Sequence, residues 1–197
     1  FDYLSDIPEV EREREGLLRH IAVYEDYRAL QQILIDRGWV SFIANGSVLA
    51  RRSGVSQSPM EGALPFISPA TLEAEVELPH AGVLRGMAIE PGVTVIVGGG
   101  YHGKSTLLGA IQRGVYAHIP GDGREYVATL EDAMKVRAAD GRAVTGVDVS
   151  SFITHLPGDA DTTHFSTENA SGSTSQAASL IESIQLGSTL LLIDEDT

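Results

Sequence analysis

The stretch GGGYHGKST, residues 98–106, carries the residue types and spacing that hold a nucleotide phosphate. Gly98, Gly103, Lys104 and Ser105 satisfy G-x-x-x-x-G-K-[ST] at every fixed position. In that pattern glycines let successive backbone N–H groups face phosphate oxygens. The dipole of the following helix adds partial positive charge, the lysine reaches the β and γ phosphates, and the serine hydroxyl ligates Mg²⁺. The nucleotide-binding set is then Gly98, Gly99, Gly100, Tyr101, His102, Gly103, Lys104, Ser105 and Thr106. The plainer alternative is a glycine-rich strand-to-helix turn that holds a lysine by chance.

Two later stretches bear on that choice. LLLIDED ends an apolar run on acids, so Asp194 can bind Mg²⁺ through water while Glu195 orients or deprotonates the attacking water. Solvated acids after an ordinary strand are the alternative. ASGSTSQAA, residues 170–178, puts Ser171, Gly172, Ser173 and Thr174 at a helix start, a second anion site suited to a γ-phosphate held elsewhere. Alone, it reads equally as a helix cap.

These residues need elements to position them. VTVIV, residues 93–97, is continuously apolar and β-branched, as a buried parallel strand is. After Lys104, residues Leu107, Leu108, Ile111 and Val115 fall on one helical face. Upstream, residues 8–37 read as a helix carrying Leu17, Leu18, Ile21, Leu30, Ile33 and Leu34, which Gly16 weakens or splits. Residues 39–51 alternate around Asn45-Gly46, a hairpin signal. Residues 52–71 form a loop, and LEAEVELP and VLRGMAIEPG form two strands. YVATL and AVTGVDVS are strand-like, whereas HLPGDADTTHFSTENASGS has no period. Ala177, Leu180, Ile181 and Ile184 mark a helix that stops at Gly187, and TLLLIDED closes as a second buried strand.

With 197 residues and 43% hydrophobic content, the chain can bury a real core. A net charge of −13 argues against nucleic-acid binding through bulk electrostatics, so any such role needs a local patch; Arg51 and Arg52 are the nearest to one. No cysteine is present to form a disulfide. No apolar run reaches the roughly 20 residues of a membrane span, and no leader opens the sequence, so a cytoplasmic protein is expected. His155 and His164, nine residues apart, read as solvated loop histidines. The chain opens on Phe1 and closes on Thr197 just after the acids, and is expected to be a fragment cut at both ends.

In order and spacing, GGGYHGKST, ASGSTSQAA and LLLIDEDT resemble the Walker A loop, signature loop and Walker B strand of ATP-binding cassette ATPases. GREYV, DGR, FSTENASGSTSQAA and LLIDEDT are similar to segments of one soluble branch, the predicted ATPases of the ABC class, over roughly residues 51–197. The resemblance implies an α/β P-loop NTPase of cassette type. It would have a mainly parallel core sheet with helices, an antiparallel β subdomain and an N-terminal α+β segment. Residues 1–70 would form the N-terminal region and linker, and residues 71–197 a partial cassette domain ending at Walker B. It implies further that two copies pair head to tail around ATP and Mg²⁺. Ser171, Gly172, Ser173, Thr174 and Gln176 of one copy would then act on the nucleotide held by the other. Ser105 and Asp194 would hold the metal, with Lys104 and Glu195 catalytic.

Departures from the family pattern are visible too. No glutamine lies between Gln112 and Gln176 to serve as the usual metal-sensing loop residue, which leaves Asp140 or Glu131 as substitutes. Only 67 positions separate Lys104 from Ser171, so the helical subdomain is reduced and offers little to a membrane partner. His80 is the one ring near residues 79–81 that could stack on a base, and the histidine switch that follows Walker B is expected to lie beyond Thr197. The function expected is Mg-dependent ATP hydrolysis in a homodimer. The alternative is an ATP-gated clamp for RNA or protein with little turnover; a kinase-like P-loop class is disfavoured by ASGSTSQ ahead of LLLIDED.

Overall fold

The computed structural model describes residues 7–156 and 161–194. The chain divides into two compact units, Phe1–Glu131 and Asp132–Thr197. In the first of these, the N-terminal helix and first strand share a core with the strands that follow.

In the first unit, α1 (Ile7–Arg37) runs unbroken through Gly16. Val23, Tyr27, Leu30 and Leu34 recur at helical spacing and are buried, Leu30 and Leu34 completely. Leu17, Leu18 and Ile21, expected on the same apolar stripe, are 61%, 55% and 42% exposed, since the packed face starts only at Val23. The helix covers a four-stranded sheet ordered β2-β3-β1-β4, made of β1 (Ser41–Ala44), β2 (Glu73–Leu78), β3 (Gly82–Ile89) and β4 (Val127–Thr129). Every pairing in it is antiparallel. Phe42, Ala44, Val76, Leu78, Ala88 and Ala128 meet Tyr27, Leu30 and Leu34 in one core, where each large side chain contributes about 1.5–3 kcal/mol of burial. Gly86 sits opposite Ala44, and a Cβ there would run into the Ile43 carbonyl oxygen and the Ala44 Cα. Asp26 is 1% exposed; its carboxylate accepts from His80 N at 2.8 Å and Ala81 N at 2.9 Å, tying the helix to the β2–β3 turn.

Two expectations fail in this unit. Asn45-Gly46 does not close a hairpin: β1 pairs with β3 and β4 instead of with residues 47–51. The Asn45 side chain is used elsewhere, donating to Glu73 Oε2 at 3.0 Å and accepting from Ser68 N at 2.6 Å. Residues 93–97 form no strand, and Val93, Val95 and Val97 are 96%, 72% and 82% exposed. A β-branched run is buried only when a neighbouring strand pairs with it, and no described strand does.

The helix α2 (Lys104–Arg113) packs on β4. Its C-terminal end is fixed there: Thr129 Oγ1 donates to Ile111 O at 2.7 Å, and Thr129 N donates to Gly114 O at 2.9 Å. A Cβ on Gly114 would lie 2.7 Å from Thr129 Oγ1, so glycine permits this approach. Arg51 is bound up with Asp122, donating to its carbonyl at 2.9 Å and lying 3.4 Å from Oδ2. Asp122 also takes a two-pronged pair from Arg124, at 2.7 and 3.0 Å, and His118 Nδ1 lies 3.3 Å from its Oδ1. Burial pushes the His118 pKa down despite that carboxylate.

The second unit contains β5 (Met134–Val136), β6 (Val144–Val147), β7 (Phe165–Thr167), α3 (Gly172–Gln185) and β8 (Leu191–Ile193). Val144, Val147, Val149, Phe165, Ala170, Ala177 and Ala178 form its core. β6 and β7 pair antiparallel with an irregular register, and β5 and β8 pair parallel. A mainly parallel core sheet is thus not what the described residues form; β5–β8 is the parallel pair among them. The strand β7 lies inside the aperiodic polar stretch.

Candidate nucleotide-binding site

The loop at residues 98–103 joins the exposed apolar run directly to α2. Gly103 stands at the N-cap with φ 83°, a left-handed conformation that suits glycine, and no side chain caps the helix. Tyr101 also takes positive φ, 62°, and its ring is fully exposed. His102 N donates to Gly99 O at 3.4 Å, and a Cβ on Gly99 would press within 3.1 Å of the His102 ring. Lys104 folds back over the loop, donating from Nζ to Gly98 O at 2.5 Å and Gly99 O at 2.9 Å. Ser105 and Thr106 lie exposed in the first helical turn, which contains no acidic residue. The result is an open helix N-terminus, a turn of glycines and one ammonium held against loop carbonyls, the surroundings a phosphate needs.

Asp194 follows β8, where Leu192 is buried but Ile193 is 54% exposed because β5 is the strand's one partner among the described residues. Asp194 N donates to Val136 O at 3.1 Å, and its Oδ2 lies 2.9 Å from Lys135 Nζ. Glu195 falls outside the described residues.

Ser171 is the N-cap of α3, with extended backbone, φ −67° and ψ 164°, and again no side chain caps the first amides. The hydroxyls group together: Ser171 Oγ lies 2.7 Å from Thr174 Oγ1 and 3.4 Å from Ser173 Oγ. Ser171 and Ser173 face solvent and Gln176 is half-buried, whereas Thr174 is buried and donates to Ser171 O at 3.0 Å. The turn at residues 139–142 holds this end in place. Ala139 N donates to Ser175 Oγ at 2.8 Å, Gly141 N to Ala170 O at 2.9 Å and Ala170 N to Arg142 O at 2.9 Å. Arg142 also reaches Ser179 and Glu182 on α3, at 3.1 and 2.5 Å.

Residues 13–197 match the P-loop domain of the ABC_ATPase family. The chain belongs to that family. An uncharacterized protein of Methanocaldococcus jannaschii is 34% identical over 176 residues, a match that takes in 85% of this chain and 39% of the relative. The chain therefore spans about two fifths of that relative's length.

Within this ABC_ATPase P-loop domain, residues 98–106 belong to the first unit, and Ser171, Asp194 and their neighbours to the second. Of the substitutes for the loop glutamine, Asp140 is exposed in the turn that holds α3, and Glu131 Oε1 lies 3.5 Å from Arg28 Nη1. Sequence reasoning missed Lys135, Arg142 and Tyr126. The first two act through contacts distant along the chain. Tyr126 lines a cavity of about 450 Å³ together with Val23, Asp26, His80 and Leu84. Among the described residues no helix is long and apolar enough to cross a membrane.

Proposed function

We propose that the domain binds Mg-ATP and hydrolyses it as a head-to-tail dimer, each copy completing the other's site with its α3 N-terminus. The observation that carries this reading is the uncapped N-terminus of α2 behind the glycine loop, with Lys104 poised on Gly98 and Gly99 carbonyls that a phosphate would replace. The oxygen donors suit Mg²⁺: it is held by one or two protein oxygens together with substrate phosphates and water, and Ser105 and Asp194 offer a hydroxyl and a carboxylate. Among the described residues no cluster of three or more His, Asp or Glu could hold a metal.

Bound Mg²⁺ would supply charge neutralisation at the β and γ phosphates. Lys104 exchanges its loop carbonyls for phosphate oxygens, and the α2 amides bind the same group. Glu195 takes the proton of the attacking water, and the exposed Ser171 and Ser173 hydroxyls donate to the γ-phosphate of the partner's nucleotide. Positioning and electrostatics carry the rate.

Two variants separate binding from turnover. Lys104→Ala should weaken Mg-ATP binding by calorimetry at least about thirtyfold, the effect of removing one partner from a desolvated charge pair. Glu195→Gln should bind normally and turn over about a hundredfold more slowly, the contribution of a general base. Equal ATP affinity in wild type and Lys104→Ala would contradict the site. Binding without turnover in wild type would favour the ATP-gated clamp.

A further inference from the structure

We propose that Lys135 is a positioning residue for the Asp194 carboxylate, the counter-cation that Mg²⁺ must displace when nucleotide binds. This rests on the reading of Asp194 as the metal-side carboxylate. The parallel register of β5 and β8 sets Lys135 opposite Leu192 and Val136 opposite Ile193. The bond from Asp194 N to Val136 O then carries the chain one residue past β8 along β5. Asp194 Oδ2 lies 2.9 Å from Lys135 Nζ, with the two side chains 27% and 28% exposed. The pair is therefore partly shielded from water, where charge interactions exceed those at an open surface.

An ammonium and a hydrated divalent cation cannot share that carboxylate without repulsion. Lys135 thus holds Asp194 in place while the site is empty and opposes the metal until the phosphates of a nucleotide add their negative charge. Metal binding is in this way made conditional on nucleotide.

The test titrates Mg²⁺ into the full chain at fixed ATP and reads the midpoint for nucleotide binding, with no turnover measured. Lys135→Met should bring the midpoint to roughly two- to fivefold lower Mg²⁺, the range for a partly exposed ion pair. Lys135→Gln, which keeps a polar side chain, should shift it the same way, and Lys135→Arg should restore the wild-type value. In an Asp194→Asn background, Lys135→Met should shift nothing, since the coupling runs through the carboxylate. An unchanged or raised midpoint in both Lys135→Met and Lys135→Gln overturns the proposal. Wild-type binding indifferent to Mg²⁺ would overturn the reading of Asp194 and this proposal with it, and is seen before any variant is compared.

Discussion

The N-termini of α2 and α3 are alike in what they lack and opposite in how they are built. Neither carries an acid in its first turn, and neither is closed by a side-chain cap. The α2 end is glycine and a cation, with Gly103 in left-handed backbone and Lys104 reaching back over the loop. The α3 end is hydroxyls, with Ser171 and Ser173 exposed and Thr174 and Ser175 turned back onto the carbonyls of Ser171 and Gly172. Their anchors differ as well. α2 is held at its C-terminus by Thr129 and Gly114, whereas the first turn of α3 is held by the turn at residues 139–142, from which Arg142 also reaches Ser179 and Glu182 further along the helix. Under the proposed function, the loop that would wrap around phosphate is anchored away from its working end, and the surface that would present donors to a partner's nucleotide is anchored at that end.

If that contrast is real, the two anchors can be loosened separately. Thr129→Val removes the bond to Ile111 O and the 2.9 Å contact with Ser41 Oγ, both buried. It should cost about 2 kcal/mol, with faster hydrogen exchange in the last turn of α2 and none of the increase in α3. Ser175→Ala leaves the Ala139 N–H without its acceptor and should cost about 1 kcal/mol, with exchange rising at the first turn of α3 and not in α2. Spread of either effect into the other unit would contradict independent anchoring.

Acid should produce a smaller contrast. His118 is held neutral by burial, with its Nε2 unpartnered and Arg51 and Arg124 opposing a proton there. Its folded pKa is lowered, so below an unfolded value of about 6.5 the unfolded chain binds a proton the folded chain does not. Stability from this group is full above that pH and is lost as pH falls towards the folded value. Asp122 does not share that window: burial raises its pKa, but Arg124, His118 and Arg51 outweigh burial and keep it low. Denaturant midpoints between pH 7.5 and 5.5 should fall for wild type and fall less for His118→Gln, with the loss confined to the first unit.

Much of this was legible because it is written locally. The glycine-lysine-serine spacing marked the start of α2, apolar periodicity and Gly187 marked α3, and the β2–β3 pair showed in two short alternating runs. What the residues could not reveal was partnership. VTVIV announces burial without naming the strand that would supply it, and its valines are exposed. Asn45-Gly46 has the composition of a hairpin turn, but the Asn45 side chain is engaged by Glu73 and Ser68. Strand β7 is three residues long with one large apolar side chain, Phe165, too brief to show a period. The Lys135–Asp194 contact depends on parallel pairing across 59 positions, for which no local signal exists.

In the proposed function the α2 end of one copy and the α3 end of another work on the same nucleotide. Ser171→Arg should leave ATP binding to the monomer intact while blocking dimerisation and hydrolysis, because the added side chain occupies the space before the α3 amides. Mixing that variant with Lys104→Ala, itself inactive, regenerates one site with an intact glycine loop from the first chain and an intact α3 end from the second. The decisive measurement is the ATPase rate of the mixture against each variant alone. Activity returning on mixing is the predicted result. Full hydrolysis by Ser171→Arg as a monomer in light scattering would contradict the shared site and reduce ASGSTSQAA to a helix cap.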